Sequence, residues 1–229
     1  MLPVIVIMLA LALPLSAQDG SSDASLIVAT GEAVLQRPPD VAFVTLEFES
    51  MADNPRVAQR DNTEALAAVR RRLTVTRVPQ DALKIVGLVL QQEFENVGGR
   101  QVPRRGRYVA RTIIEIRVDD VARAGEVADA MVQAGASSLK GVRFDLKDRA
   151  TVEREAIRLS VEDAYGRAAA AAAGANKTIE KIVRIEESPS EAVIARPTVL
   201  VRVEGASVGN VEPGVLEIRA HVTLTASVR

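Results

Sequence analysis

The sequence predicts an α+β fold in which antiparallel sheets pack against three helices. The main observation is the last stretch of the chain, where even positions from Leu216 to Val228 are apolar and odd positions from Glu217 to Arg229 are polar. This period of two indicates a strand with one buried and one solvated face, as is typical of an antiparallel sheet. Shorter alternating stretches and three helix-like stretches give the order ββ–α–ββ–α–β–α–β–β–β. We expect two intimate lobes, with an excursion lobe over about residues 53–147 and a core sheet from residues 26–50 and 178–229.

The composition is that of a globular protein and excludes several kinds of site. Of the 229 residues, 48% are hydrophobic but only 3% are aromatic, so aliphatic side chains and alanine have to form the core. The absence of cysteine excludes disulfides, thiol catalysis, thiolate metal sites and a lipoprotein anchor, and the single histidine excludes a site of several imidazoles. The net charge of −1 favours neither nucleic acid nor an anionic membrane.

The amino-terminal segment is typical of a secretory signal peptide. Residues Val4 to Leu13 are continuously apolar, Pro14 breaks the run, and Ser16 and Ala17 offer small residues at a cleavage site. The run is shorter than the roughly 20 residues that span a bilayer, although no Lys or Arg precedes it. We therefore expect residues 1–17 to be a signal peptide and residues 18–25 a flexible mature amino terminus. An uncleaved anchor is the alternative.

The first elements are two strands and a helix. Leu26 to Gln36 is expected to form a hairpin with the alternating residues 42–49, because Pro38 and Pro39 stop the first strand. Asn54 and Pro55 then supply the cap and the first-turn proline of a helix. The apolar stripe of this helix contains Ala58, Ala65, Leu66, Val69 and Leu73.

Two long strands follow the first helix. The first covers Leu88 to Phe94, and its apolar positions are Leu88, Leu90 and Phe94. The second covers Tyr108 to Val118 and alternates with a polar side. The segment from Asn96 to Arg105 contains two glycines and is expected to be an exposed hairpin loop between them.

The second half of the chain contains two more helices. Asp119 and Asp120 are expected to cap the second helix, which ends at Gly135. Asp148 is expected to cap the longest helix, which runs to about Ala173. The remaining strands are predicted around Val142, Phe144 and Leu146, and over Thr178–Glu187, Val199–Val203 and Val215–Arg229.

A set of short motifs is spread along the chain from about Ala29 to Val228. Its members are Gly31-Glu32-Ala33, Pro39-Asp40, Asn62, Tyr108 to Val118, Gly135-Ala136, Glu155-Ala156, Asp163-Ala164, Ala168 and Pro213-Gly214. Their order and spacing are more specific than any one of them, and in this pattern the chain resembles the SIMPL domain family of exported bacterial envelope proteins. The Thr and the Pro-Tyr that the family often shows around the first long strand are absent from Gly87 to Glu95.

The resemblance implies a periplasmic or outer-membrane-associated protein, loosely linked to oxidative stress. In some members of the family it implies a ring-like homo-oligomer. It supplies no catalytic residues, and we expect no cofactor or metal.

Two sets of side chains are candidates for chemistry. His221 is expected on the polar face of the last strand with Glu217, but no nucleophile accompanies it, so we expect a solvated or interface histidine. Glu47 and Glu49 share one strand face about 7 Å apart and could hold a metal or act as an acid pair. Because such carboxylates are more often solvent-facing, we favour a surface role.

Two further sets are candidates for contacts with partners. Arg100, Arg104, Arg105 and Arg107 form the densest basic patch, which is either a solvated loop or a contact for phosphate, lipid head groups or an acidic partner. The six alanines from Ala168 to Ala173 have strong helix propensity and little bulk. Ala164, Ala168 and Ala171 therefore pack either on the chain's own sheet or against another subunit.

These observations favour a non-enzymatic envelope protein that assembles with copies of itself. The first alternative is a periplasmic binding module for a small or lipid-like ligand, with a cleft between the Leu88–Val118 hairpin and the terminal sheet. The second is a hydrolase that uses Glu47 and Glu49. We expect no nucleic-acid partner, and an envelope lipid or protein is a candidate partner.

Overall fold

The computed structural model describes residues 25–188, 198–199 and 213–229, without the side chains of residues 95–97, 103–106 and 198–199. The fold is α+β with antiparallel strands and three α-helices, in the expected order. The strands are β1 (Leu26–Arg37), β2 (Val41–Ala52), β3 (Leu83–Val97), β4 (Arg100–Val118), β5 (Ser138–Asp145), β6 (Ile179–Ser188), β7 (Thr198–Val199) and β8 (Leu216–Val228). The helices are α1 (Pro55–Val75), α2 (Ala124–Gln133) and α3 (Arg149–Gly174).

The strands form two sheets. A small sheet has the order β1–β8–β6, and a larger one has the order β3–β4–β2–β5–β7. The expected signal peptide lies outside the described residues. Of the strand expected over Val199–Val203, only Val199 is described, and together with Thr198 it pairs with β5 in the larger sheet.

The carboxyl-terminal strand is confirmed as the centre of the small sheet. β8 pairs with β1 over its whole length, from Leu26 opposite Ser227 to Arg37 opposite Leu216, and pairs with β6 on its other side. Its even-numbered side chains are all buried, whereas Glu217 and Arg219 are exposed. The two-residue period therefore assigned the faces of this strand correctly.

The expected hairpin between the first two strands is wrong. β2 does not pair with β1 and instead lies between β4 and β5, so residues 41–50 belong to the larger sheet and not to a core sheet with residues 178–229. Asp40, just before β2, ties the chain to the end of β5 in the larger sheet. Its carboxylate accepts the Lys147 N–H (2.7 Å), and its own N–H donates to the Asp145 carbonyl (3.2 Å). The alternating pattern gives the faces of a strand but does not select its neighbour.

The β3–β4 hairpin is longer than expected. The strands continue to Val97 and resume at Arg100, so the predicted loop from Asn96 to Arg105 is wrong. Gly98 and Gly99 have φ values of 58° and 82°, which side chains other than glycine rarely adopt. Two successive left-handed residues make a tight turn whose twist matches that of the strands, so no longer loop is needed.

Each sheet has its own apolar core. α1 and α2 cover one face of the larger sheet, where Phe48, Ile114, Met131 and Phe144 are among the buried side chains. α3 covers the small sheet and packs on β1 and β8. Gly31 allows this close packing, because a Cβ at that position would lie 2.1 Å from the Ser160 carbonyl oxygen.

The predicted helix caps are confirmed at two helices and wrong at the third. Asn54 accepts the Arg56 N–H (2.8 Å), and Asp148 accepts the Thr151 N–H (3.1 Å). Asp119 and Asp120 do not cap α2, because a 3₁₀ turn over Val121–Arg123 intervenes and α2 begins at Ala124 without a side-chain cap. Gly135, with a φ of 111°, follows the end of α2 as expected.

Within the described residues, no helix combines the length and the apolar character that crossing a bilayer requires.

Candidate functional site

The predicted pair of carboxylates lies on the outer face of the larger sheet, opposite the helices. Arg111 on β4 faces Glu49 across the ladder and donates to it through Nε (3.0 Å) and through a second nitrogen. The same Arg111 Nε is 3.4 Å from Glu47, and Lys140 Nζ is 3.1 Å from the other oxygen of Glu47. The hydrogen bond to Glu49 raises the pKa of Arg111. Both carboxylates are therefore held in ion pairs.

A second ion-pair cluster continues along the same face. Arg143 contacts Asp145 (2.7 Å) and Glu115 (3.3 Å), and its guanidinium carbon lies 4.1 Å from the centre of the Phe43 ring. Arg149 at the start of α3 contacts the other oxygen of Asp145 at 3.3 Å. Such a row of alternating charges is suited to holding strands in register and to contacting another charged surface.

No group of three or more acidic or histidine side chains in the described part of the chain is arranged to hold a metal. Glu47 and Glu49 do lie on one face, as the sequence predicts, but Arg111 and Lys140 occupy the positions that a cation would take. Arranged in this way, the two carboxylates can stabilise the sheet.

His221 lies on the polar face of β8, as expected. Its partner across the ladder is Glu32 of β1, with Nδ1 3.9 Å from Oε1, and not Glu217 of its own strand. Glu217 instead contacts Arg219 (2.6 Å) and accepts from Gln36 (3.2 Å), and the hydrogen bond from Arg219 lowers the pKa of Glu217. The arrangement around His221 is a cross-strand pair on a solvated surface.

The predicted basic patch is only partly described. Arg100 is exposed beside the Gly98–Gly99 turn. Arg107 Nε lies 3.0 Å from Glu93, so its charge is paired within the hairpin. The side chains of Arg104 and Arg105 lie outside the described residues, and their contact with an anionic partner stays a prediction.

The three candidate alanines differ in their surroundings. Ala164 and Ala168 are fully buried against Leu224 and Ala226 of β8. This burial favours the alternative in which they pack on the chain's own sheet. Ala171 is exposed on the other side of α3 and stays available for a contact.

The feature that sequence reasoning missed is an exposed apolar edge on β3. Leu88, Leu90 and Phe94, which the sequence marked as the apolar positions of this strand, are 64%, 41% and 51% exposed. Ile85, Val86 and Val89 between and before them are exposed as well. The signal was present, because Ile85 to Leu90 contains no polar residue and so does not follow the alternation of a half-buried strand.

An open groove of about 750 Å³ lies between the end of α1 and the start of α2. Arg72, Arg77 and Arg123 line it together with Glu126 and Asp129. Arg123 is engaged there by Glu126 (3.0 Å) and by the Thr76 carbonyl (2.8 Å). This groove is not the cleft expected between the β3–β4 hairpin and the terminal sheet.

Known proteins with similar sequences include the 26 kDa periplasmic immunogenic proteins of Brucella melitensis and Brucella abortus. Each is 24% identical to this chain over 183 residues, which make up 78% of this chain and 73% of the relative. The model of the SIMPL family, described as a protein of unknown function (DUF541), matches residues 27–226. Because this match spans both sheets and all three helices, the chain belongs to the SIMPL family.

Proposed function

We propose that this chain is a non-enzymatic, exported protein of the bacterial periplasm that assembles with copies of itself. Membership of the SIMPL family and the similarity to periplasmic proteins of Brucella support the location. The expected signal peptide over residues 1–17 is part of the proposal. Association with the outer membrane and a link to oxidative or envelope stress belong to it too, and rest on the family resemblance.

The non-enzymatic part is supported by the state of the candidate carboxylates. Glu47 and Glu49 are paired with Arg111 and Lys140, so neither is placed to exchange a proton with a substrate. His221 lies opposite Glu32 of β1 and Ser188 of β6 on a solvated surface, and none of the described hydrogen bonds joins it to a hydroxyl group.

The assembly part is carried by one observation, the exposed apolar edge on β3. An edge strand leaves one row of backbone groups unpaired, and proteins that stay monomeric protect such strands with charges or prolines. From Ile85 to Leu90 this strand has neither, and its side chains are exposed on both faces. An apolar surface of this kind marks a contact site.

Light scattering and sedimentation of the mature protein at micromolar concentration test the assembly. We expect a mass that is a small multiple of the chain mass, and a strict monomer would overturn this part of the proposal. Mass spectrometry of the exported protein tests cleavage after residue 17, since an intact amino terminus would point to a retained anchor.

A binding module for a small ligand is the second candidate, and the arginine-lined groove between α1 and α2 favours an anion as the ligand. Thermal shift with peptidoglycan fragments and anionic head groups separates the two functions, because a ligand that binds only the folded protein raises its Tm. Replacing the exposed Arg77 with glutamine should remove such a shift. If none of these compounds raises the Tm, the binding function is contradicted and self-assembly is the proposal that stands.

A further inference from the structure

β3 is an edge strand whose unprotected segment is long. Its hydrogen bonds go to β4, and no other described strand neighbours it. The eight residues from Ile85 to Gln92 carry no charge and no proline, two of the features that block pairing with another strand. The register with β4 shifts between Ile85 and Gly87 and again between Gln92 and Phe94, so the regular stretch is the six residues from Gly87 to Gln92. At about 3.3 Å per residue these six residues present roughly 20 Å of backbone edge.

The segment is exposed because the helix layer ends before it. Leu83, at the start of β3, is 7% exposed and belongs to the core of the larger sheet. Ile85, two residues later on the same face, is already 47% exposed, and Leu88 reaches 64%. The exposed residues therefore continue an apolar face that α1 and α2 cover elsewhere.

We propose that β3 pairs antiparallel with β3 of a second copy, about a two-fold axis near Leu88. The two larger sheets would then continue into one another. This inference deepens the proposed self-assembly and rests on it, by naming the strand and the orientation that join the copies.

The charges at the two ends of the segment favour the antiparallel orientation. Lys84 precedes it and Glu93 follows it, and both lie on the outer face, because Lys84 opposes Glu115 and Glu93 contacts Arg107. With Leu88 opposite its own copy, Lys84 lies opposite Gln92 of the other chain and beside Glu93 of that chain, so antiparallel pairing brings the two opposite charges together. Parallel pairing would place lysine on lysine and glutamate on glutamate, which is unfavourable.

The faces of the strand are also consistent with this register. With Leu88 opposite its own copy, Gly87 of one chain opposes Val89 of the other, and both lie on the outer face of the sheet. The five residues from Val86 to Leu90 then oppose the same five residues of the other chain, so no charged side chain faces an apolar one at the centre. A two-fold contact of this kind is closed and uses the same patch on both subunits.

A cysteine crosslink tests the register directly, because the chain contains no cysteine of its own. In the full mature protein, Leu88→Cys places two thiols across an antiparallel pair, where the Cα atoms are about 4.5–5.5 Å apart and a disulfide can form. We expect a disulfide-linked dimer on mild oxidation. Tyr165→Cys on α3, with 49% exposure, is the matched control and should stay unlinked.

A charge substitution tests whether the pairing holds the assembly together. Leu88→Lys puts two like charges at the two-fold axis and should weaken self-association at least about tenfold, the loss typical of a central contact residue. Since Leu88 is exposed in the single chain, the circular dichroism spectrum should not change. Val183→Lys on β6, an edge strand of the small sheet, with 52% exposure, is the control that should assemble normally.

The outcomes separate this inference from the proposed function. If the wild-type protein is monomeric, the proposed self-assembly fails and the pairing of β3 fails with it. If the wild-type protein assembles but Leu88→Lys has no effect, self-assembly stands and the β3 contact is overturned. An assembly that Val183→Lys disrupts and Leu88→Lys does not would place the contact on β6.

Discussion

Replacing Gly31 with alanine is expected to separate α3 from the small sheet. A Cβ on Gly31 would lie 2.1 Å from the Ser160 carbonyl oxygen and 2.2 Å from the Ala164 nitrogen. Both are backbone atoms, so no change of side-chain rotamer relieves the overlap. Unstrained contacts need about 3.5 Å, and the helix and the strand would therefore have to move apart by roughly 1.4 Å.

The size of the effect follows from this overlap. Forcing extra atoms into a packed core costs about 1–3 kcal/mol, and we expect the upper end because the contact is with the backbone of a fully buried part of α3. For a protein of this size, 1 kcal/mol changes the Tm by about 2–4 °C. Gly31→Ala should therefore lower the Tm by roughly 6–12 °C.

The matched control is Gly166→Ala, the same substitution on α3, the helix that packs on Gly31. A Cβ at Gly166 meets nothing within 4 Å. Alanine is more favourable than glycine in a helix by about 1 kcal/mol, so this variant should be more stable than the wild type. Thermal and urea unfolding followed by circular dichroism measure both. A Gly31→Ala variant as stable as the wild type, or a shift of the same sign for both, would refute the reasoning.

Two further substitutions probe buried polar contacts and acid stability. Asn62 on α1 donates to the carbonyls of Phe48 and Ala110 (3.0 Å each) and accepts from Thr112 (2.5 Å), so Asn62→Ala should lower the free energy of unfolding by about 3 kcal/mol at about 1 kcal/mol per bond. A result as small as that of an exposed alanine substitution would contradict this. The Glu32 N–H, as donor, lowers the pKa of Asp163 below its ordinary 3.8. The stability from this contact is present above that pH and lost as the pH falls through the lowered pKa, so Asp163→Asn should flatten the fall in urea midpoint below pH 4. An unchanged slope would count against the contact.

The sequence predicted the local features of this fold well. The faces of β8 follow from its two-residue period, and the caps at Asn54 and Asp148 follow from the side chains that suit those positions. These features depend on residues close together in the chain. The partner of β1 could not be predicted, because β2 and β8 both offer an alternating apolar face and only the tertiary structure selects between them.

The candidate site was predictable only in part, for a related reason. That Glu47 and Glu49 share a face follows from the period of β2. Their pairing with Arg111 and Lys140 depends on the register of strands far apart in sequence, which no local pattern encodes. The exposure of β3 depends on where the helix layer ends. Because a hydrophobic segment is normally predicted to be buried, the sequence alone does not show that this strand is exposed.

The central position of β8 has a consequence for how the chain matures. β1 and β8 are far apart in the sequence and yet pair along their whole length, so β1 and α3 lack part of the sheet that they pack on until β8 has joined them. Residues 41–145, in contrast, hold four of the five strands of the larger sheet and both of its helices, so they can condense earlier. β1 and α3 are thus exposed to proteases and chaperones until β8 pairs with β1, and losing β8 would remove the middle strand of the small sheet and not an edge strand.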